Sequence, residues 1–435
     1  MFTTARRTAL PVLGTGVALA ITLAACGSGG GTTEQTPVAT AGAQISGTVT
    51  FWHAYSADSQ EVKTLDEVLI PQFESDHPGV TVEAVPVPYD ELHQKLVTAV
   101  AGDTLPDLVR SDIMWVPELG DLGVLVALDE QMPDFDDYAA QVYPGALATN
   151  AFQGHYYGLP LDTNTRVLLY NAEALAKAGL DSPPATFDDL RETAAALTEA
   201  GVFSFADNST SGWNVLPWIW SAGGAVTDED VTKATGFLNS PESVAGVQLL
   251  VDLYREKAIP DIILGGEGGT ATSDGLATGA YGTILDGPWM YPIFASQFPD
   301  FELQAAPVPA GAGGSISVVG GESIVLTQSS ENKDAAAEFM RFLLSEDAQY
   351  EMAKVGQMSV LSSLGDKLVG INEYYAPFVE QLATARPRTP TPAWPKIDDI
   401  LKAQIHRALI GEVTVQEALD EAAAQVDPLL AEYAG

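Results

Sequence analysis

Cysteine is almost absent from this sequence, since Cys26 is the only one in 435 residues. A disulfide within the chain is therefore impossible, and so is any site that needs two cysteines. Phosphate-binding Gly-Lys-Ser/Thr loops, Gly-x-Ser-x-Gly nucleophile elbows and His-Glu-x-x-His zinc motifs are missing as well. The histidines, at positions 53, 77, 93, 155 and 406, have no metal-ligand spacing. The sequence therefore predicts neither a metal nor a cofactor.

Basic residues are scarce too. Lys and Arg number 20 against 58 Asp and Glu, which gives a net charge of −38 at pH 7. Such a surface repels nucleic acid and anionic lipid head groups, so nucleic acid is excluded as a partner. The apolar fraction of 46% argues for a folded core rather than a disordered chain. Because the length exceeds what a single core organises, two domains are expected.

Long apolar runs occur only near the N-terminus. A pair of arginines precedes an uncharged, apolar or small stretch over 9–25, which ends in Leu23-Ala24-Ala25-Cys26. This layout is typical of a secretory signal and is too short for a comfortable transmembrane helix. Leu-Ala-Ala-Cys resembles a bacterial lipobox, so we expect a signal peptide over 1–25, lipidation of Cys26 and a flexible tether over 26–45. Export by the Sec and by the twin-arginine route both stay open.

Strands alternate with helices in the first part of the chain. The segments 48–54, 80–87 and 107–110 have strand character, and 59–76 and 89–101 have helical spacing. This alternation predicts α/β units around a sheet. Further helices are predicted after the capping residues Thr186, Ser240 and Thr414, and loops over the Gly-rich stretches 265–282 and 310–321.

The run from 157 to 171 is extended and apolar at both ends but polar over 162–166. A buried strand would need partners for those polar groups. An exposed edge strand would explain the polar centre but not the apolar ends. The pattern therefore predicts a segment that crosses between two domains beside a solvent-filled cleft.

Tryptophans lie next to turns throughout the chain, several of them beside polar residues. The candidates for a binding surface are Trp52 with His53, Trp213, Trp289 with Asp286, and Trp394. Trp218 and Trp220 lie within an apolar run and are expected in the core. A pyranose has flat C–H faces that lie on aromatic rings, and hydroxyls that bond to planar polar groups. Aromatic rings beside carboxylates and amides therefore favour a sugar-binding cleft.

Several short segments follow one another in a set order along nearly the whole chain. They are Phe73-Glu74-x-x-His77-Pro78-Gly79-Val80, Gly102-Asp103-x-x-Pro106-Asp107, Tyr157-Gly-Leu-Pro through Tyr170-Asn171, Asp286-Gly-Pro-Trp289, Gly320-Gly321-Glu322, Asn332-Lys-x-Ala335-Ala-x-x-Phe339 and Pro392-x-Trp394. Together they resemble the extracellular solute-binding proteins of bacterial ABC sugar importers, in the maltose/trehalose-binding group. The resemblance implies an α/β, two-lobed periplasmic-binding-protein fold, each lobe a mixed sheet flanked by helices.

That family's lobes are joined by three hinge segments and close on ligand like a jaw. The resemblance places the crossings near 161–163, 305–307 and 371–377. It implies a first lobe made of 46–162 plus 307–371, and a second lobe made of 163–306 plus 372–435.

The resemblance also assigns roles in ligand binding, with no catalytic residue. It gives sugar stacking to Trp289 and Trp394, and polar contacts to Asp112, Asn164, Arg166, Gly321 and Glu322. With Trp52, His53, Trp213 and Asp286, these residues make up the predicted ligand site.

The implied function is a monomeric receptor that binds an oligosaccharide and delivers it to the permease subunits of an ABC transporter. Its lipid on Cys26 would hold it at the outer face of the bacterial cell membrane. Maltose, trehalose, short maltodextrins and other oligosaccharides all stay open as ligands. A non-sugar solute such as a glycerophosphodiester is an alternative, because Arg110, Arg166, Arg386 and Arg388 could build a local positive site. A secreted glycoside hydrolase, which needs two carboxylates flanking the cleft, is another.

Overall fold

The computed structural model describes residues 37–56, 59–265, 268–365 and 367–433. The predicted signal peptide, the lipidation at Cys26 and the first part of the tether lie outside the described residues. Val38, a described residue, lies inside the range predicted as a tether. Val38 is buried, and its N–H donates to the carbonyl of Gln131. From Pro37 onward the chain forms one compact unit.

Short strands run through the first three quarters of the described chain. In chain order they are β1 (Gly47–His53), β2 (Val80–Pro86), β3 (Leu108–Asp112), β4 (Ala151–Phe152), β5 (His155–Tyr156), β6 (Leu159–Pro160), β7 (Asn164–Thr165), β8 (Val167–Tyr170), β9 (Phe203–Ala206), β10 (Tyr281–Asp286), β11 (Gln304–Ala306), β12 (Val319–Gly320) and β13 (Glu322–Leu326).

Helices fill the intervals between the strands and the C-terminal part. They are α1 (Gln60–Thr64), α2 (Ile70–Asp76), α3 (Tyr89–Gly102), α4 (Val116–Asp121), α5 (Leu128–Gln131), α6 (Phe135–Ala139), α7 (Pro144–Ala148), α8 (Ala172–Lys177), α9 (Phe187–Glu199), α10 (Gly212–Ser221), α11 (Pro241–Arg255), α12 (Gly268–Thr278), α13 (Met290–Gln297), α14 (Lys333–Leu343), α15 (Glu346–Ala353), α16 (Ser362–Gly365), α17 (Leu368–Ile371), α18 (Ala376–Leu382), α19 (Trp394–Leu409) and α20 (Val415–Ala431). A π-helical turn, Leu65–Leu69, joins α1 to α2, and 3₁₀ turns span Asp261–Leu264 and Glu373–Tyr375.

The first lobe is built on a sheet with the strand order β2-β1-β3-β13-β6. β1 runs parallel to β2 and β3, whereas β13 runs antiparallel to β3 and β6. Side chains alternate between the two faces of β1. Phe51 packs against Phe339 of α14 on one face, and Trp52 lies on the face that α3 covers. The predicted α/β arrangement of this region is confirmed.

The second lobe is built on a sheet with the strand order β11-β8-β10-β9, in which β9 and β10 are parallel and the other pairs antiparallel. Its core includes the indoles of Trp218, which is fully buried, and Trp220, which is nearly so. Both were expected in the core, and this prediction is confirmed.

The run from 157 to 171 passes from one sheet to the other, as its polar centre predicts. β6 belongs to the first-lobe sheet, β7 pairs with β12, and β8 belongs to the second-lobe sheet. The side chains of 162–166 are all buried. Their polar groups therefore need partners, and the site described below shows which of them have one.

The chain returns to the first lobe later than the sequence predicts. Val308, Ile316 and Val318 pack in the core of the second lobe, and the first-lobe sheet resumes only with β13. The second crossing therefore lies at Gly321 rather than at 305–307. Gly321 has a φ of 137°, which favours glycine, and a Cβ there would collide with the backbone of Asp162.

Local capping signals give correct helix starts, whereas one Gly-rich stretch does not form the predicted loop. Thr186 and Thr414 form capping boxes, and Ser240 accepts from the N–H of Ser243. The stretch 265–282, however, contains α12, which packs against β10. Gly275 lets that helix approach the ring of Tyr281 so closely that a Cβ would collide with it. Tertiary packing thus overrides the low helix propensity of glycine.

Candidate functional site

Two carboxylates meet at the ends of two neighbouring strands in the first-lobe sheet. Asp112 is the last residue of β3, and Glu322 is the first residue of β13. The two stand opposite each other in antiparallel register. Asp112 is buried, whereas Glu322 is half-buried. The sequence prediction placed both in the ligand site, and the structure brings them together at the edge that faces the second lobe.

Asp112 is held by partners from several segments. Nη2 of Arg388 lies 2.9 and 3.1 Å from its two carboxylate oxygens. The hydroxyl of Tyr89 donates to it at 2.6 Å and the N–H of Met114 at 2.7 Å. Arg388 comes from the segment between α18 and α19, so this buried ion pair ties the edge of the first lobe to the C-terminal part of the chain.

Arg110 joins the crossing segments. Its Nη2 donates to Asp162 at 2.9 Å, to Glu322 at 2.7 Å and to Gln357 at 3.1 Å. Its guanidinium lies over the ring of Tyr55 at 4.1 Å. Burial raises the pKa of Glu322 well above its usual range, and the Arg110 charge opposes that rise.

A second pair of carboxylates lies at the ends of two parallel strands of the second lobe. Asp207 follows β9 directly, and Asp286 ends β10. Arg166, from the crossing run, donates to Asp207 at 2.9 Å and also to the carbonyls of Trp213, at 3.2 Å, and Leu285. The crossing run thus delivers a guanidinium to the carboxyl edge of this sheet.

Burial raises the pKa of three carboxyl groups in this part of the second lobe. Burial raises the pKa of Asp286 to about 6, and the Arg166 charge opposes that rise. Burial likewise raises the pKa of Asp398 in α19 to about 6, although the N–H of Gly212 donates to it. The pKa of Asp207 is raised for the same reason despite its ion pair. Asp286 and Asp398 each keep an accessible side and are half-buried.

Two indoles lie side by side in this region. The ring centroids of Trp213 and Trp289 are 6.3 Å apart, with 30° between their planes. The guanidinium carbons of Arg166 and Arg388 lie 5.6 and 5.8 Å from the Trp213 ring. Both indoles are half-buried, so each keeps an accessible part of its ring.

Glycines allow these indoles to lie against the backbone. A Cβ on Gly320 would come within 2.6 Å of the Trp213 ring, and a Cβ on Gly287 would collide with the ring of Trp289. In the sequence Asp286-Gly-Pro-Trp289, the glycine therefore allows the indole to fold back over the loop that carries it.

Several buried polar atoms of the site have no hydrogen-bond partner within the part of the chain that the structure describes. They are Oδ1 of Asn164, Nε of Arg166, Oδ2 of Asp207 and Nε of Arg388. Leaving a buried polar group unpaired costs about 1–3 kcal/mol. A ligand with several hydroxyl groups can supply both donors and acceptors to these atoms, and the indoles can cover its apolar faces.

Trp394 is not the exposed stacking residue that the sequence predicts. Its indole is only 2% exposed and belongs to the core of the second lobe. A Cβ on Gly212 would lie 2.7 Å from its ring, so the ring supports the start of α10, where Trp213 stands. This is a correction to the stacking role: the Pro-rich turn begins α19 and points the indole inward.

Trp52 and His53, also predicted for the ligand site, have their described contacts with other residues of the first lobe. Trp52 is covered by the ammonium of Lys95, 3.9 Å from its ring centroid, and borders a groove of about 760 Å³ along α3. His53 is buried beside Tyr55, and burial lowers its pKa to about 4. The described contacts join neither residue to the two indoles.

The structure adds residues that the sequence did not assign. Asp207 and Asp398 were missed, and Arg388 was considered only for an anion site. Asp207 had a readable signal, because the ends of neighbouring parallel strands meet at one edge. Asp398 lies four residues after Trp394, and therefore on the same helix face. No local sequence pattern indicates Arg388 as a residue of the site.

Nowhere in 37–56, 59–265, 268–365 and 367–433 do three or more His, Cys, Asp or Glu side chains cluster as a metal site would require. No helix in the same ranges has both the length and the apolar character to span a membrane.

Known proteins resemble this chain in sequence and fold. The model of the bacterial extracellular solute-binding protein family matches residues 56–350. The GacH receptor of Streptomyces glaucescens, solved without ligand and with acarbose or an acarbose homolog, is 27% identical. It superposes with a TM-score of 0.81 over 89% of this chain and 99% of that chain. This likeness confirms the predicted α/β, two-lobed periplasmic-binding-protein fold.

Two curated relatives are similar in sequence. A lipoprotein of Streptomyces antibioticus, uncharacterized and encoded in the oleD 5′ region, is 29% identical over 322 residues, which cover 70% of this chain and 68% of the relative. The sn-glycerol-3-phosphate-binding periplasmic protein UgpB of Pectobacterium atrosepticum is 26% identical over 441 residues, which cover 90% of this chain and 93% of the relative.

Proposed function

Because the chain belongs to the bacterial extracellular solute-binding protein family, we propose that it is the oligosaccharide receptor of an ABC importer. It binds its ligand between the lobes, closes around it and delivers it to the permease subunits. The observation that carries this proposal is the combination of the half-buried Trp213 and Trp289 rings with buried, unpartnered polar atoms around them. That combination suits a sugar, whose ring faces are apolar and whose hydroxyls are polar.

Each wall of the site has its own role in this proposal. Trp213 and Trp289 stack on the sugar. Asn164, Arg166 and Asp286 bond to its hydroxyls from the second lobe. Asp112, Gly321 and Glu322 form the first-lobe wall, which meets the ligand on closure.

We also propose that the protein is a monomer, anchored by a lipid on Cys26 at the outer face of the cell membrane. The Leu-Ala-Ala-Cys motif supports the anchor, and so does the lipoprotein name of the Streptomyces antibioticus relative. The permease is its membrane partner in transport.

Calorimetry with a panel of neutral oligosaccharides tests the proposal, with Trp289→Ala and Trp52→Ala as a matched pair. Both tryptophans are half-buried, but only Trp289 packs beside Trp213. Truncating a central binding aromatic costs at least about 2 kcal/mol, roughly a thirtyfold loss of affinity. Trp289→Ala should show that loss, and Trp52→Ala should bind like the wild type. The proposal fails if no saccharide binds, or if the two variants lose affinity equally.

The same experiment also tests two alternative functions, the binding of an anionic solute and the hydrolysis of glycosides. Glycerol 3-phosphate belongs in the panel, because the UgpB relative is named for it. The described ion pairs weigh against an anion, since three of the four arginines considered for such a site, Arg110, Arg166 and Arg388, are each already bonded to a carboxylate. The glycoside hydrolase alternative is tested by incubating the sugars with the protein and analysing them for shortened products.

A further inference from the structure

The accessible part of the proposed site is aromatic and acidic. Trp213, Trp289, Asp286 and Asp398 are half-buried and keep exposed surface. The site's arginines, in contrast, are buried, with Arg166 only 2% and Arg388 only 6% exposed. A ligand that enters the site therefore meets indole rings and carboxylates before it meets a guanidinium.

The arginines of the site are already neutralised by their own carboxylates. Arg166 is paired with Asp207 at 2.9 Å, and Arg388 with Asp112 at 2.9 Å. In the described chain, Asp286 and Asp398 have no ion pair. Asp286 accepts from the N–H of Gly287 at 2.8 Å, and Asp398 accepts from a backbone N–H as well.

The uncompensated charge is therefore negative. Asp112 and Asp207 balance the two guanidiniums, so Asp286 and Asp398 add two negative charges whenever both are ionised. Buried carboxylates are stabilised by an opposite charge, and aromatic faces attract cations as well. A neutral hydroxyl satisfies the hydrogen bonds of a carboxylate but leaves its charge in place.

We propose that the preferred ligand is a saccharide that carries a basic amine, whose ammonium group lies against the Trp213 and Trp289 rings and is neutralised by Asp286 and Asp398. This inference rests on the proposed function, because it specifies the class of sugar that the same site takes. The unpartnered atoms of Asn164, Arg166 and Arg388 then bond to the hydroxyls of that sugar.

Titration of the two carboxyls gives the inference a pH signature. Burial raises the pKa of Asp286 to about 6. The Arg166 charge opposes that rise, and the Asp207 charge adds to it. Burial also raises the pKa of Asp398 to about 6. The Arg388 charge opposes that rise, and the charges of Asp399 and Asp112 add to it. A bound ammonium lowers both pKa values, so binding releases protons. The affinity for an amino sugar therefore rises with pH between about 5 and 7.

The experiment compares trehalose and maltose with derivatives in which one primary hydroxyl, each in turn, is replaced by an amino group. A primary alkylamine stays protonated over this pH range. Charge-assisted hydrogen bonds exceed neutral ones by enough for about a tenfold gain in affinity. Calorimetry at pH 7.5 should show that gain for at least one derivative, and the gain should shrink at pH 5.

Variants separate this role from a general loss of charge. Asp286→Asn and Asp398→Asn should each reduce the preference for the amine at pH 7.5 and flatten its pH dependence. Glu229→Gln removes an exposed carboxylate of the same lobe and should change neither. A melting curve for each variant verifies that it is folded.

The outcomes distinguish the two proposals. If neutral sugars bind and no aminated derivative binds more tightly than its parent, the amine inference is overturned and the oligosaccharide receptor stands. The inference also fails if the preference survives in both Asp286→Asn and Asp398→Asn. If no saccharide of either kind binds, both proposals fail together.

Discussion

Replacing Gly320 by alanine should displace the indole of Trp213, because the added methyl group would collide with that ring. Gly320 ends β12 and pairs with Asn164 of β7. A Cβ there would lie 2.6 Å from Cζ3 and 2.7 Å from Cη2 of Trp213, and would also collide with the side-chain oxygen of Asn164. Since ordinary contacts begin at 3.4 Å, the ring must retreat by about 0.8 Å (3.4 − 2.6) to remove the clash.

The two thermodynamic effects of Gly320→Ala differ in size. Overpacking costs about 1–3 kcal/mol of stability, whereas replacing glycine recovers about 0.4–1 kcal/mol by restricting the unfolded chain. The net loss in the free energy of unfolding is therefore about 1 kcal/mol. For binding, displacing Trp213 and covering the free oxygen of Asn164 remove a stacking contact and a hydrogen bond. At about 1 kcal/mol each, these losses lower the affinity roughly thirtyfold.

Calorimetry with a saccharide that binds the wild type measures this effect. Gly145→Ala is the matched control, because a Cβ at that position in α7 meets no atom within 4 Å. It should leave the affinity unchanged. An affinity of Gly320→Ala within about twofold of the wild type would refute the argument that Trp213 and Asn164 hold the ligand in their present positions.

Four further predictions follow from the structure and the sequence. Trp394→Ala should lower the free energy of unfolding by about 3–5 kcal/mol, as expected for a core indole; an unchanged denaturation midpoint would show that the indole is not structural. Asp286→Asn should melt at a higher temperature than the wild type at pH 7.5, because the folded-state pKa of Asp286 is raised from 3.8 to about 6 and ionisation destabilises the fold. That advantage should shrink as the pH falls toward 4, and a pH-independent difference would contradict it. A binding sugar should reduce the radius of gyration in small-angle scattering, since ligand favours the closed state through differential affinity; a constant radius at saturation would argue against closure. Cys26→Ser should release the protein into the medium, and a variant that stays in the membrane fraction after a high-salt wash would contradict the lipid anchor.

Features with local signals were predictable from the sequence. The capping boxes at Thr186 and Thr414 need only residues within one helical turn, and the structure forms both. The polar centre of the run 157–171 predicted a crossing segment, because buried polar groups need partners wherever they come from. The turn before Trp289 predicted an accessible indole, and the indole is half-buried; only the structure shows that the ring lies over Gly287.

Features decided by distant contacts were not predictable. The turn before Trp394 shows that a helix begins there, but not which way the indole points. Gly212 decides that, because its missing side chain leaves room for the ring. The second crossing was misplaced for a similar reason. The N–H of Gly313 donates to the carbonyl of Ser221 at 2.7 Å, and this contact keeps the Gly-rich segment on the second lobe.

The electrostatics of the site illustrate the same limit and bear on the choice between two classes of ligand. From the sequence, the arginines Arg110, Arg166, Arg386 and Arg388 could form a positive site for an anion. In the structure Arg386 is exposed, whereas the other three are buried. Arg388 meets Asp112 across 276 residues of sequence, and Arg110 meets Glu322 across 212. Because the guanidiniums of Arg110, Arg166 and Arg388 are each bonded to a carboxylate that is distant in the sequence, an anionic ligand that binds them would have to displace an existing ion pair. A neutral or cationic sugar needs no such exchange, since it can bond to the remaining free atoms while the pairs stay intact.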